Sequence, residues 1–386
     1  MDFIVNEPDP LFDPFFENFD DLWSRPNQAR GFRAYTLGLI SETHRKNIEA
    51  MSAKMVDQPY QGLHHFLSEA PWDNTEINRR RLAALMGNPR TAPCQKGVLV
   101  LDDTGVPKKG DSTEGVKRQY IGQLGKTANG QVFVTSHYAD GRCHWPVEIV
   151  PYIPDVWLEK GKEDERFRTK LQLALELIDR AVVLGVKFRA VVADSWYGSD
   201  RYFVGELDKR GLPYVLEVKS SLRIFARLPG DIARNEHRLK EALRLLSPEE
   251  FRPARLRNAD GTEREVHVAQ LWLKIKGLPG KRRIVAVTTC PQDPSSDRDL
   301  RWLMTNVAQF RADTVAQIYA LRNWVEEFYR EAKDDLGAGQ YQVRDLETIL
   351  RHWHMVFVAY SLLALLRRQG RLARWCKKNS APCERP

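Results

Sequence analysis

VLVLDD, residues 98–103, runs four apolar residues straight into two acids. Successive strand side chains point to opposite faces, so an unbroken apolar run marks a strand covered on both sides. The acids fall where the chain leaves the sheet, and functional side chains gather on such loops. VKFRAVVAD, residues 186–194, repeats the pattern, an apolar run ending in an acid. Between them, VKRQYIG (116–122) and QVFVTSHYA (131–139) alternate like hairpin strands around the turn residues KTANG, and WPVEIVPYI (145–153) reads as a further strand. DERFRTKLQLALELIDRAVVLG (164–185) has apolar residues at helical spacing and stops at a glycine. A short helix, DRYFVGELDKRG (200–211), and a strand, YVLEV (214–218), follow. Meandering strands followed by crossover helices predict an α/β fold with an RNase H-like mixed sheet, antiparallel at one edge and parallel at the other.

Outward from this sheet, residues 1–30 are acidic, aromatic and proline-bearing, and read as an arm or a loosely docked segment. Residues 31–92 carry helical patterns and read as a helical N-terminal domain; Asn74 or Thr75 offers a cap to TEINRRRLAALMG. The sheet patterns occupy 93–220. Residues 221–305 hold a polar helical pattern (HRLKEALRLL), a turn (NADGT) and two long strand patterns, REVHVAQLWLKIKG and KRRIVAVTTC, which together predict a β-rich insertion. Over 306–370 a helix spans about 313–335 and another covers LETILRHWHMVFVAYSLLALLRRQ. Residues 371–386 form a basic tail. No internal repeat is visible.

The 386 residues are 42% apolar and 28% charged, enough for a sizeable core and two or three domains. The longest apolar run, WHMVFVAYSLLALL (353–366), is too short to span a bilayer, so no membrane partner is expected. Five scattered cysteines, without close pairs, argue against a disulfide framework and for a reducing, cytoplasmic compartment. The net charge of +8 is unevenly spread. Residues 1–24 hold seven acids and no Lys or Arg, whereas the last twenty hold seven Lys/Arg against one Glu. Positive charge gathered in patches is the footprint of a polyanion partner.

YALRNWVEEFYREAK, residues 319–333, carries the chemistry. At about 100° per residue, Tyr319, Arg322, Glu326 and Lys333 fall within an arc of roughly 60° on one helix. Leu321, Trp324, Val325, Phe328 and Ala332 take the opposite side. A solvated charged face is the ordinary reading of such a helix. The sheet adds Asp102 and Asp194, each at the end of a buried strand. Three carboxylates converging at one sheet end repel one another, but they make a cage for hard divalent cations such as Mg²⁺. Two such ions about 4 Å apart clamp an in-line displacement at phosphorus. Arg322 and Lys333 would hold phosphates, one by its fork and one as a point charge.

These residues resemble the bacterial DDE insertion-sequence transposases, in the group marked by the signature Y-x2-R-x3-E-x6-K. Tyr319, Arg322, Glu326 and Lys333 match it at every position; DDTG (102–105) followed by PKKG resembles the first catalytic motif, and ADSWYG (193–198) the second. The resemblance covers roughly residues 30–370 and includes the β-rich insertion. It implies a DNA transposase that cleaves at transposon ends and transfers strands by in-line phosphodiester displacement. Asp102, Asp194 and Glu326 would bind two Mg²⁺ ions, with Mn²⁺ able to substitute. Tyr319, Arg322, Lys333, Lys108 and Lys109 would contact DNA, and Trp272 would stack on a flipped base. Cross-strand packing is the plainer reading of Trp272. Asp103 competes with Asp102 for the first position; the family pattern, an Asp two residues before a Thr, favours Asp102. Partners would be transposon-end and target DNA, with a homodimer on DNA and a bacterial, nucleoid-associated location.

Other features fall away. LGKT (124–127) echoes a phosphate loop, but the first glycine of that motif would fall at Tyr120. The nine histidines show no ligand set at metal spacing. Two rivals remain: a nuclease of the same type without strand transfer, and a domesticated DNA-binding regulator, which would not need all three acids.

Overall fold

A computed structural model describes residues 9–55, 57–258 and 261–368; the basic tail over 371–386 and the first eight residues lie outside the described residues. The N-terminal part is helical: α1 (Asp13–Phe16), α2 (Pro26–Ile40), α3 (Ile48–Ser52), α4 (Tyr60–Ser68) and α5 (Asn74–Gly87). Asp73, one residue before the expected caps, is the N-cap of α5 and accepts from Thr75 N. The described part of the acidic stretch is docked on the helices. Phe12, Phe15, Phe16 and Phe19 are buried with Phe32 of α2. Asp13 and Asp21 pair with Arg33 and Arg80. Aromatic burial overrides the acidic composition, because each ring removes a large apolar surface from water.

Next come β1 (Val98–Pro107), β2 (Lys117–Ile121), β3 (Lys126–Ala139), β4 (His144–Tyr152), α6 (Lys170–Val183), β5 (Val191–Ala193), α7 (Ser195–Gly198), α8 (Arg201–Lys209) and β6 (Tyr214–Val218). Their spatial order is β4-β3-β1-β5-β6. The pairs β4–β3 and β3–β1 are antiparallel, and β5 and β6 run parallel to β1. That is the expected RNase H-like sheet. Thr169 caps α6 in a capping box with Gln172, and Asp200 caps α8.

The insertion comprises β7 (Arg223–Ala226), β8 (Asn235–Arg238), β9 (Arg252–Arg257), β10 (Glu263–Ile275) and β11 (Lys281–Thr288), and β12 (Arg301–Thr305) follows. These strands continue the same sheet past β6, in the order β12-β11-β10-β7-β8, with β9 and β7 sharing the edge of β10 opposite β11. The polar helix expected at HRLKEALRLL is instead the end of β8 and a 3₁₀ segment over Leu239–Leu245. Its buried residues, Leu239 and Ala242, are three apart, the repeat of the tighter helix.

The chain closes with α9 (Ala312–Ala320), α10 (Asn323–Arg330) and α11 (Leu346–Arg368). By length and hydropathy α11 could cross a bilayer, but 83% of its apolar window is buried in the fold. It packs on α2, α4, α5 and β4 as a core helix.

Strand alternation assigns each face of the sheet to a set of helices. Leu99 and Leu101 belong to the core shared with α6, α8 and α11, whereas Val98 and Val100 meet Val315, Ile318 and Leu321 on the α9 side. Both faces are covered, which is why β1 is apolar at every position until it reaches Asp102.

Candidate active site

Period-two alternation places Asp102 on the Val98–Val100 face and Asp103 on the other. Asp102 turns toward the α9–α10 side, where its Oδ2 accepts from Arg322 Nη2 at 2.8 Å. Asp103 turns toward α6 and pairs with Lys170 Nζ at 2.6 Å. The partners of these adjacent acids therefore lie on opposite sides of the sheet.

Asp194 follows β5, the parallel neighbour of β1. Leu101 pairs with Ala193, so the next residue of each strand, Asp102 and Asp194, leaves the sheet side by side. Asp194 caps α7, accepting from Trp196 N at 2.9 Å and Tyr197 N at 3.3 Å. The turn sits tightly on β6: a Cβ at Gly198 would lie 2.0 Å from Glu217 O. Only glycine allows that approach, which explains the last letter of ADSWYG.

The helix expected over 313–335 is interrupted twice. Leu321, Arg322, Trp324 and Val325 donate their backbone N–H to carbonyls three residues back, which tightens the turn between α9 and α10. Residues Glu331–Asp335 then form a π-turn, in which Leu336 N reaches back five residues to Glu331 O. Such turns shift the helical phase and are frequent at functional sites.

Arg322 and Glu326 come together with the sheet acids in a cleft of about 540 Å³. Arg322 is the hub: Nη2 donates to Asp102 and Nη1 to Glu326 Oε1, each at 2.8 Å. Glu326 is otherwise open, its side chain 63% exposed, whereas Asp102 is buried. Burial pushes the Asp102 carboxyl up to about 7, against the pull of Arg322; the charges of Asp103 and Asp194 add to the rise. Lys333 lines the same cleft and donates to Gly105 O at 3.1 Å and Gln123 Oε1 at 3.3 Å. Burial lowers its pKa.

Other expected residues lie elsewhere. Tyr319 is buried and donates to Glu217, so its hydroxyl faces β6 rather than the cleft. Lys108 packs over the Tyr341 ring, 3.4 Å from its centre, and burial lowers its pKa to about 8. Lys109 is exposed at the strand end and, like Lys108, is outside the cleft wall. Trp272 stands across from Arg283, whose guanidinium is 5.3 Å from the ring centre. It is five strands from β1, on the order of 20 Å by strand spacing. The structure does not bring it to the cleft.

Tyr120, Gln123, Tyr329 and Arg330 also line the cleft, and the sequence reading missed them. Tyr120 and Gln123 come from the β2–β3 hairpin, which overhangs the sheet end. Tyr329 lies three residues after Glu326, one helical turn on, and bonds Thr135 of β3. That spacing was the one signal available.

The donors facing the cleft are carboxylate oxygens, which suit a hard divalent ion. Asp102 is a buried acid whose charge Arg322 offsets only in part, so the site favours more positive charge. Among the described residues, however, no three His, Cys, Asp or Glu side chains are drawn close enough to form a metal cage. Arg322 stands between Asp102 and Glu326, where a shared ion would need their oxygens. By donor chemistry the carboxylate oxygens fit a divalent ion, and Arg322 occupies them in this arrangement.

Comparison with known proteins adds two findings. The model of the family described as DDE superfamily endonuclease matches residues 14–274, which include Asp102 and Asp194 and stop before Glu326. A protein of Microchaete diplosiphon, named probable transposase for insertion sequence element IS701, is 29% identical over 345 residues, 88% of this chain and 84% of that protein.

Proposed function

Because the chain belongs to the DDE superfamily endonucleases and is a DNA transposase that depends on divalent metal, we propose that Asp102, Asp194 and Glu326 hold its catalytic ions. The observation that carries this reading is the meeting of two parallel strand ends and one helix residue in a single cleft. The ions are two Mg²⁺, replaceable by Mn²⁺, and they supply charge stabilisation and an activated attacking oxygen when bound.

The protein's own groups do the rest. Arg322 leaves the carboxylates and takes a phosphate oxygen of the bound strand, which its forked donors suit. Lys333, at the cleft wall, fixes the neighbouring phosphate as a point charge. Tyr319 acts at one remove, holding the α9 end against Glu217. Hydrolysis at a transposon end breaks the phosphodiester and leaves a 3′-OH. That hydroxyl then attacks a second phosphodiester, displacing its leaving oxygen, so that the strand is joined to target DNA. Pairing two ends calls for a homodimer on DNA, and the N-terminal helices and basic tail add affinity.

The test is cleavage of DNA carrying the element's own ends, with Mg²⁺, by wild type and Glu326→Gln. Cleavage is expected to fall by more than about 100-fold, with DNA binding retained. Full cleavage by the variant would remove Glu326 from the site. Cut ends without joined products would identify a nuclease instead.

A further inference from the structure

A second groove, of about 740 Å³, lies on the other side of residues 321–326 from the cleft. Leu321 and Trp324 face it, whereas Arg322 and Glu326 face the cleft. The groove is basic: Lys96, Arg142, Arg189, Arg255 and Arg257 line it against two acids, Asp140 and Asp313. Both acids are already matched. The Asp140 side chain is fully buried under Arg142 at 2.5 Å, and Asp313 pairs with Arg311 at 3.0 Å. Lys96, Arg189, Arg255 and Arg257 have no ion pair among the described residues.

The fold arranges these cations deliberately. Along β9, Ala254 and Leu256 are buried on the α9 side, so Arg255 and Arg257 emerge together on the other face, across from Glu265 and Glu263 of β10. They stand about 6.8 Å apart along the strand, a spacing suited to successive phosphates of one DNA strand. Arg189 enters from the loop before β5, its guanidinium over the Phe310 ring at 5.0 Å. Lys96 and Arg142 close the far wall.

We propose that this groove binds the sugar–phosphate backbone of a DNA segment other than the one being cut. Its cations come from four separate chain segments and outnumber the acids that line the groove, the arrangement that releases counterions from duplex DNA. The helix between groove and cleft keeps DNA lying here from the catalytic carboxylates. The groove is therefore a holding site, for flanking or target DNA. This proposal rests on the DNA-processing function above.

The test uses the full-length protein without divalent ions and a short duplex. Binding is followed by fluorescence anisotropy across a KCl series for wild type and Arg255→Ser/Arg257→Ser. Both residues are exposed, and matching melting curves would confirm that the variant folds. The plot of log affinity against log salt is expected to become shallower by about two. Cys94 lines the groove and Cys290 does not, so both report on occupancy. DNA should slow alkylation of Cys94 severalfold and leave Cys290 unchanged, and the double variant should need more DNA for that protection. An unchanged slope with Cys94 unprotected in saturating DNA would overturn the groove while leaving the cleft reading intact. Protection by polyglutamate but not by DNA would also overturn it, in favour of an acidic protein segment. Failure of the wild type to bind any duplex would overturn both readings.

Discussion

Arg322 reaches Asp102 with one nitrogen and Glu326 with another. A guanidinium and a divalent ion ask for the same carboxylate oxygens, so they compete for them. At a few ångströms such a competition is worth several kcal/mol near a protein surface. Arg322→Ala is therefore expected to raise Mn²⁺ affinity of the DNA-free protein by about tenfold or more, read by electron paramagnetic resonance. Cleavage should fall in the same variant, because the phosphate loses its fork. An affinity no higher than wild type would show that the Arg322 bridge and the ion do not share oxygens. Asp103 offers the contrast. Its partner is Lys170 on the opposite side of the sheet, although Asp103 also lines the cleft.

At the scale of elements, the short turn after β5 is the tightest joint in the site. Asp194 is both the N-cap of α7 and the neighbour of Asp102, so any shift of α7 moves a candidate ligand. Gly198→Ala would place a methyl group against the Glu217 carbonyl, a backbone atom that cannot swing away. A loss of roughly 1–3 kcal/mol is expected, seen as a lower melting temperature and weaker metal binding. Gly205→Ala in α8 is the control, since a Cβ there meets nothing within 4 Å. It should be neutral or stabilising by up to about 1 kcal/mol. Equal melting temperatures for the two variants would contradict the tight joint.

For the whole molecule, α11 ties the N-terminal helices to the catalytic sheet. His352 sits at the junction. Its Nδ1 meets the Tyr35 hydroxyl of α2 at 2.8 Å, its Nε2 meets Gly337 O at 3.1 Å, and the Tyr341 ring is beside it. Burial holds it neutral, with its pKa lowered to about 4, and the Lys108 charge acts in the same direction. The unfolded chain binds a proton at this residue near pH 6.5, whereas the folded one resists to about 4. Stability from this group is therefore complete above about 6.5 and is lost as pH falls toward 4. The shift corresponds to about 3 kcal/mol. Urea melts between pH 7 and 5 should show a steeper loss for wild type than for His352→Gln. Parallel losses would place the acid sensitivity elsewhere.

Much of this protein was determined locally, by the sequence itself. The apolar runs ending at Asp102 and Asp194 name buried parallel strands, because a strand covered on both faces cannot hold polar residues until it leaves the sheet. The order of strand and helix patterns then specifies the RNase H-like sheet, since handed crossovers leave few alternatives. The four-residue signature named Arg322, Glu326 and Lys333, but the tight turn and the π-turn within it, not regular helical spacing, bring them to one cleft. What needed the tertiary structure depends on contacts between distant segments. No local pattern shows that the inserted strands extend the central sheet, because strand pairing is a long-range choice. None shows that Tyr319 spends its hydroxyl on Glu217, that Lys108 folds onto Tyr341, or that Trp272 lies far from the cleft. The acidic N-terminal stretch read as an arm or a loosely docked segment by composition, and Phe12, Phe15, Phe16 and Phe19 became core only where α2 supplied a surface. The basic groove was likewise invisible, because its cations lie on segments that meet only when the sheet is complete.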